Sequence, residues 1–199
     1  SMSSYCLEKS IKLMYNILLD RGYSPEEIED YEDCEDDIIS YGKIDAINCE
    51  TGRSTAIRWI RSNKLRTEDI TSVIGIKGFK NLTNWILICE EGVTTSSNQM
   101  LNLINKQPNR RIDIWTMAET QYNILKHEFS PEYIVLTEEE KLRVIAEYKI
   151  KNPIMNMPSI LLNDPVCRHF GIGKGTFLKI IRNNIVMPGE KEITYRCVR

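Results

Sequence analysis

Three glycines within five residues, Gly171, Gly173 and Gly175, set the tightest limit on what this 199-residue chain can fold into. Before them runs L-L-N-D-P-V-C-R-H-F, and after them T-F-L-K-I-I-R. Asp164-Pro165 reads as a helix start, because a short carboxylate can accept a free backbone N–H and the proline ring presets the first helical φ. The helix must be brief, since the glycines break it. Thr176 to Arg182 then alternate apolar and polar residues as a half-buried strand does, and Ile193 to Val198 supply a partner strand. A phosphate-binding loop is a poor reading of Gly171 to Thr176. That loop needs G-x-x-x-x-G-K-[ST] between a strand and a helix, whereas here the helix comes first and the strand second.

Upstream, Leu7, Ile11, Met14 and Leu18 fall at helical spacing, with Tyr15 and Leu19 widening the stripe, and Asp20-Arg21-Gly22-Tyr23 ends that helix. Ser24-Pro25-Glu26-Glu27 opens a second, short one. Nine of the twelve residues from Glu26 to Asp37 are acidic. A cation site or docking face is the sharp reading of that stretch, a solvated helix and loop the plainer and preferred one. Lys43 to Cys49 and Thr55 to Arg61 read as a hairpin around Glu50 to Arg53. A helix starts at Thr67 and reaches about Lys77. Trp85 to Cys89 is a continuous apolar run, the mark of a strand covered on both faces. Glu90 to Ser97 reads as a polar loop, Asn98 to Asn105 as a helix, Arg111 to Trp115 as a strand and Met117 to Lys126 as a helix. This order argues for a central sheet with covering helices. A domain boundary is expected near Glu128 to Glu132. A helix then starts at Thr137 and continues through Leu142, Ile145, Ala146 and Lys149, and Pro153 and Pro158 bracket an irregular crossing.

Composition narrows the function classes. The chain is 42% hydrophobic and 27% charged, with a net charge of -2. No apolar run is long enough to span a bilayer, and a polar start with Glu8 and Lys9 predicts no secretory signal. Lys and Arg outnumber Asp and Glu 11 to 8 over residues 130–199, while acids lead 20 to 15 over residues 1–129. Neither half carries the concentrated basic footprint of a dedicated DNA binder. Six cysteines without a C-x-x-C pair, and only two histidines, suit buried free thiols in a reducing compartment better than zinc or disulfides.

The run D-P-V-x-R-x-F-G-x-x-x-G-x-x-x-K-I-I-R from Asp164 to Arg182, the terminal I-T-Y-R ending at Arg196, and H-E-F-S-P-E-Y-I-V-L-T at 127–137 together resemble the assembly domain of the fifth, shared subunit of eukaryotic-type DNA-directed RNA polymerases, which is related to a small subunit of the archaeal enzyme. About a third of the chain is covered. A fainter likeness to the family's N-terminal jaw domain rests on Asp20 to Tyr23 and on Glu91 to Ser97. The resemblance implies an α/β jaw domain at 1–129, similar in fold to restriction endonucleases, and a small α+β assembly domain at 130–199. An N-terminal domain implies a eukaryotic or eukaryotic-virus polymerase, and its divergence points to a large DNA virus. The setting would then be the nucleus, or a viral factory or virion.

The implied function is that of a non-catalytic subunit that docks on the largest polymerase subunit beside other subunits, with downstream duplex DNA touched weakly and without sequence preference. The docking positions are Asp164, Pro165, Arg168, Phe170, Lys174, Arg182, Tyr195 and Arg196. Asp164 starts the helix, and Arg168, one turn later, can pair with it or reach across an interface. Phe170 is an aromatic of the kind that anchors interfaces. Lys174, Lys179, Arg182 and Arg196 could line one basic edge with Tyr195 between them, or be simply solvated. Thr94, Thr95, Ser96 and Ser97 match the jaw segment near DNA, where the family has Thr-Pro-Ser-Ala; hydroxyls and N–H groups there can touch phosphates without reading bases. The other departure follows Arg182, where Asn183-Asn184 replace Pro-Ser.

No catalytic residue, metal ligand, cofactor, small-molecule substrate or membrane partner is expected. A magnesium-dependent nuclease would need Asp and D/E-x-K carboxylates on adjacent strands. Asp45 and Glu50 lack the following lysine, Glu90-Glu91-Gly92 fails alike, and Glu139-Glu140-Lys141 lies in a helix start. Cys167 and His169 cannot share a proton across a two-residue helical offset, which places Cys167 on a buried face and His169 at the rim. A nuclease, or a free-standing adaptor that recruits polymerase, remain the alternatives.

Overall fold

In the computed structural model, the described residues are 4–34, 37, 39–48, 52–75, 84–106, 110–184 and 189–199. The chain divides into two compact units, Ser1–Tyr122 and Asn123–Arg199.

The first unit opens with α1 (Ser4–Asp20), which stops at Gly22. There φ is +90°, Tyr23 N–H donates to the Leu18 carbonyl and Gly22 N–H to that of Leu19, a left-handed turn that a residue without Cβ makes without strain. The buried stripe is Ser10, Leu13, Met14, Ile17 and Leu18, while Leu19 is 44% exposed. Leu7, Ile11 and Tyr15 pack against this core beside Met14 and Leu18, so of the expected stripe Leu19 alone turns outward, and the Ser10 hydroxyl on the same face accepts Trp59 Nε1–H at 2.9 Å. Ser24 to Glu27 form one 3-10 turn, Pro25–Glu27, in which Ser24 N–H donates to the Glu27 carboxylate at 2.9 Å. The acidic stretch then runs into β1 (Glu32–Asp33), an exposed edge strand; residues 35, 36 and 38 lie outside the described ones.

Next come β2 (Ser40–Ile47), β3 (Ser54–Ile60), α2 (Thr67–Gly75), β4 (Asn84–Cys89), α3 (Thr95–Ile104) and β5 (Arg111–Thr116). The sheet order is β1-β2-β3-β4-β5, antiparallel through β3 and parallel from β3 to β5. The expected hairpin is β2–β3, though its tip at 49–51 and the end of α2 near Lys77 fall outside the described residues. Two successive crossovers of one hand put α2 and α3 on the same face. Period-two alternation divides β4 between two cores: Ile86 and Ile88 pack under α1, and Trp85, Leu87 and Cys89 under α2 and α3. Cover on both faces is why this strand reads as a continuous apolar run.

The helix expected over Met117 to Lys126 does not form. Two 3-10 turns, Glu119–Gln121 and Ile124–Lys126, stand there, separated by extended backbone at Tyr122. Side chains compete with the helical ladder: Thr116 N–H donates to Glu119 at 2.8 Å and Leu125 N–H to the Asn123 side chain at 2.9 Å.

The second unit contains β6 (Glu132–Val135), α4 (Glu138–Glu147), α5 (Pro153–Asn156), β7 (Ser159–Ile160), α6 (Pro165–Phe170), β8 (Phe177–Asn183) and β9 (Lys191–Val198). Its sheet runs β6-β8-β9-β7, antiparallel except for the β7–β9 pair. Leu178 and Val198 pack with Val166 and Cys167 of α6; Phe177 and Cys197, one residue out of phase, pack with Val144 of α4. Helix α4 ends earlier than its pattern suggests, since Lys149 takes φ +51°, and Leu142 points outward at 62% exposure. His169 is buried at 1% exposure, against the expected rim position, its ring edge-on to Phe170 at 5.3 Å. A six-residue helix pressed onto a sheet has no rim position three residues after Val166. Cys89, Cys167 and Cys197 are buried free thiols, and burial raises the Cys89 and Cys197 pKa values above the ordinary thiol range. Among the described residues no helix is long and apolar enough to cross a membrane.

Candidate functional site

Thr94 to Ser97 start a helix rather than fill a loop. Gly92, at φ +98°, turns the chain after β4, and the Leu65–Val93 bridge then holds it, with Leu65 N–H donating to the Gly92 carbonyl at 2.8 Å and Thr94 N–H to the Leu65 carbonyl at 3.1 Å. Thr94 is the N-cap of α3, its hydroxyl accepting from Ser97 N–H. Ser97 is fully buried, its hydroxyl 2.7 Å from that of Thr94 and 3.1 Å from the Leu65 carbonyl it donates to. Thr95 and Ser96 are exposed. Two of the four positions thus build the cap, and two present hydroxyls beside free N–H groups of the first turn.

In the second unit, Asp164 caps α6 by accepting Val166 N–H at 2.9 Å, and Pro165 occupies the first turn. Gly171, at φ +62°, closes the helix, with its own N–H donating to the Arg168 carbonyl and Ile172 N–H to that of Cys167. The break expected from the glycines is thus a left-handed C-terminal turn. Phe170 is half-buried against the α6 core, Arg168 is half-buried, and Lys174 is exposed on the turn that Gly175 N–H ties to the Val198 carbonyl.

The pleat sorts the remaining docking candidates into two groups. Lys179 pairs with Tyr195, and Leu178 with Arg196, so Tyr195 and Lys179 lie on the α4 face. Tyr195 packs there edge-on to Tyr148 at 5.8 Å. Arg182 and Arg196 lie on the α6 face, the latter donating to the Ser159 carbonyl at 3.3 Å. On the same face lies Tyr133 of β6, a residue not singled out in the sequence. Burial raises its phenol pKa, with the Arg182 and Arg196 charges opposing and the Asp164 charge adding to the rise. Arg182, Arg196 and Tyr133 thus share the side of the sheet that α6, capped by Asp164, covers. The sequence marks Tyr133 only within the run H-E-F-S-P-E-Y-I-V-L-T at 127–137.

The nuclease candidates are engaged otherwise. Both Asp45 oxygens are held by the Arg58 guanidinium, at 2.6 and 3.0 Å, and Glu140 caps α4. Glu50 lies outside the described residues. Among the described residues no group of three or more His, Cys, Asp or Glu side chains is placed to hold a metal ion.

Residues 122–198 match the family model for "RNA polymerase Rpb5, C-terminal domain". The chain is 36% identical over 137 residues to the subunit RPABC1 of DNA-directed RNA polymerases I, II and III from Caenorhabditis elegans, a match covering 63% of this chain and 61% of that relative. It is 31% identical over 139 residues to the Dictyostelium discoideum rpabc1 subunit, covering 68% and 67% respectively. Subunit 5A of Arabidopsis thaliana DNA-directed RNA polymerase V is 24% identical over 193 residues, covering 92% of this chain and 83% of the relative. The chain thus spans somewhat under two thirds of the nematode relative and more of the other two.

Proposed function

The chain belongs to the Rpb5 family of RNA polymerase subunits, and on that premise we propose that it is a non-catalytic subunit of a multisubunit DNA-directed RNA polymerase. Residues 130–199 act as the assembly domain, docking on the largest subunit, and residues 1–129 form part of the jaw near downstream DNA. The observation that carries the docking reading is the α6 face of the matched region, where the pleat puts Arg182, Arg196 and Tyr133 on the same side of the sheet as the Asp164-capped α6. Phe170, Arg168, Pro165 and Lys174 extend that surface along α6 and its following turn. Tyr195, on the opposite face, serves by packing.

The mixed sheet of the first unit, antiparallel then parallel with helices on both faces, supports a restriction-endonuclease-like jaw. Thr95 and Ser96, at the start of α3, are the pair available to duplex phosphates; Thr94 and Ser97 hold them in place. Contacts of this kind position DNA and carry no sequence preference. In a cell such a subunit works in the nucleus; encoded by a large DNA virus, it works in a viral factory or virion.

Affinity recovery of the full chain from its native host, with subunit stoichiometry by mass spectrometry, tests this reading. The two large polymerase subunits are expected at about one copy each, and Arg182→Glu, on an exposed strand position, is expected to reduce their recovery without unfolding the chain. Recovery of polymerase at far below unit ratio would favour a recruiting adaptor, and recovery of none would overturn the proposal.

A further inference from the structure

We infer that the outer edge of β6 is a strand-addition site, which takes an extended segment of the largest polymerase subunit by backbone pairing; the identity of that partner rests on the function proposed above. Leu136 N–H donates to the Phe177 carbonyl at 3.0 Å, and the register continues Val135↔Leu178, Ile134↔Lys179, Tyr133↔Ile180 and Glu132↔Ile181. Hydrogen-bonded and non-hydrogen-bonded pairs alternate along an antiparallel ladder. Ile134 and Glu132 therefore share the orientation of Leu136 toward β8, and Tyr133 and Val135 turn both N–H and C=O outward. The far side of β8 has the complementary phase: Val198 N–H donates to the Thr176 carbonyl and Asn184 N–H to that of Glu190, both at 2.9 Å, which directs Leu178 and Ile180 at β9. Among the described residues, nothing pairs with the backbone of Tyr133 or Val135.

Open edges invite pairing with another chain, and proteins usually blunt them. This protein does so at β5, where the Asn105 side chain occupies both outward groups of Ile112 and the Glu119 carboxylate takes Thr116 N–H. Among the described residues, edge β6 has no such clamp, and its register has no bulge. After Glu132 it consists of Tyr133, Ile134 and Val135, residue types suited to strands.

Charge and pleat specify the occupant. Residues of an added strand beside Tyr133 and Val135 face the α6 side, where Arg182 of the neighbouring strand β8 lies, so a carboxylate is favoured at that end; Arg196 is engaged with Ser159 of β7, toward the far edge of the sheet. The alternate residues fall beside half-buried Ile134, on the α4 face, where an apolar side chain fits. The segment is accordingly short, extended, and alternates acidic with apolar residues. The site is continuous with the docking surface on the α6 face.

The test is hydrogen exchange at single-amide resolution on the full chain, free and assembled with polymerase, together with Val135→Pro. Proline removes a donor that points away from β8 and is tolerated on an edge strand, so the sheet is expected to keep its ladder, which thermal unfolding checks. Fast exchange at Tyr133 and Val135 in the free chain, slowed at least about a hundredfold on assembly, is the expected result. Val135→Pro should lower recovery of the largest subunit at least about tenfold. If Val135→Pro fails to fold, the exchange comparison on the unaltered chain decides alone. Polymerase recovered at unit ratio with both amides still fast would overturn strand addition and leave the subunit assignment standing. Recovery of no polymerase would remove both. Protection in the free chain that grows with concentration would identify a second copy as the occupant and overturn the inference.

Discussion

Asn105 closes the outer edge of β5 by gripping Ile112 at both ends of its hydrogen-bonding unit. Ile112 N–H donates to Asn105 Oδ1 at 2.8 Å, and Asn105 Nδ2–H donates to the Ile112 carbonyl at 3.0 Å. A side-chain amide has the same donor and acceptor as a peptide, so this residue, just past the end of α3, stands in for a sixth strand. Among the described residues, edge β6 of the second unit has no counterpart of this clamp.

Asn105→Ala should unseal the first edge. Two backbone groups lose their partners, costing about 1–3 kcal/mol if they stay shielded from water. Chemical denaturation should show that loss, and light scattering should show concentration-dependent self-association absent from the unaltered chain. An unchanged monomer of unchanged stability would mean that the clamp is incidental.

Asp113 of β5 accepts from Arg21, at 3.3 Å, and from Arg111 Nε, at 2.9 Å, with all three side chains less than a tenth exposed. Burial lowers the Arg21 pKa, with Asp113 opposing that effect and Arg111 adding to it. The carboxylate is what makes two buried guanidinium groups tolerable. Asp113→Ala should therefore cost about 3–5 kcal/mol, read as a shift in the urea midpoint at an unchanged slope. Asp45→Ala, at the more exposed pair with Arg58, should cost clearly less.

That contrast also marks what was legible in the sequence. Features decided within a few residues could be read: the Asp164-Pro165 start, the Gly171 stop, the Thr137 cap and the doubly covered run Trp85 to Cys89. Features decided by distant partners could not. Arg21 and Asp113 are 92 positions apart, and neither carries a local sign of the other. Thr94-Thr95-Ser96-Ser97 looks like a loop because hydroxyl residues favour loops and caps alike; the pairing of Ser97 and Thr94 with Leu65 makes it a cap. Over Met117 to Lys126 the helical pattern was outweighed by Glu119 and Asn123 bonding their own backbone. Among the docking candidates, residue type suggested one basic edge, whereas the β8–β9 register divides them between two faces.

Gly42 is required by what faces it. A Cβ at this position would run into the Tyr31 ring, which meets Trp59 edge-on at 5.3 Å over the α1 core. Gly42→Ala must displace an aromatic ring or distort β2 beside its irregular pairing with β3. The expected loss is about 1–3 kcal/mol, with a changed near-ultraviolet circular dichroism signal from Trp59. Pairing the substitution with Tyr31→Ala should recover part of the loss; strictly additive costs would show that the ring is not the obstacle.

The cap of α4 should titrate. Thr137 donates its backbone N–H, at 2.8 Å, and its hydroxyl, at 3.0 Å, to the Glu140 carboxylate, while Glu140 N–H returns a bond to the hydroxyl. Bonds from the Thr137 backbone first, and its side chain second, hold the Glu140 pKa below its ordinary 4.5. Because the folded value is the lower one, the charged cap's contribution is fully present above pH 4.5 and is lost as pH falls through the folded value. Glu140→Gln keeps an acceptor and removes the charge. It should lower the melting temperature at neutral pH, and the gap from the unaltered chain should close on acidification, since the other carboxylates titrate in both proteins and cancel in the difference. A gap that stays constant to about pH 3 would mean that the ionised carboxylate is not what holds this helix start.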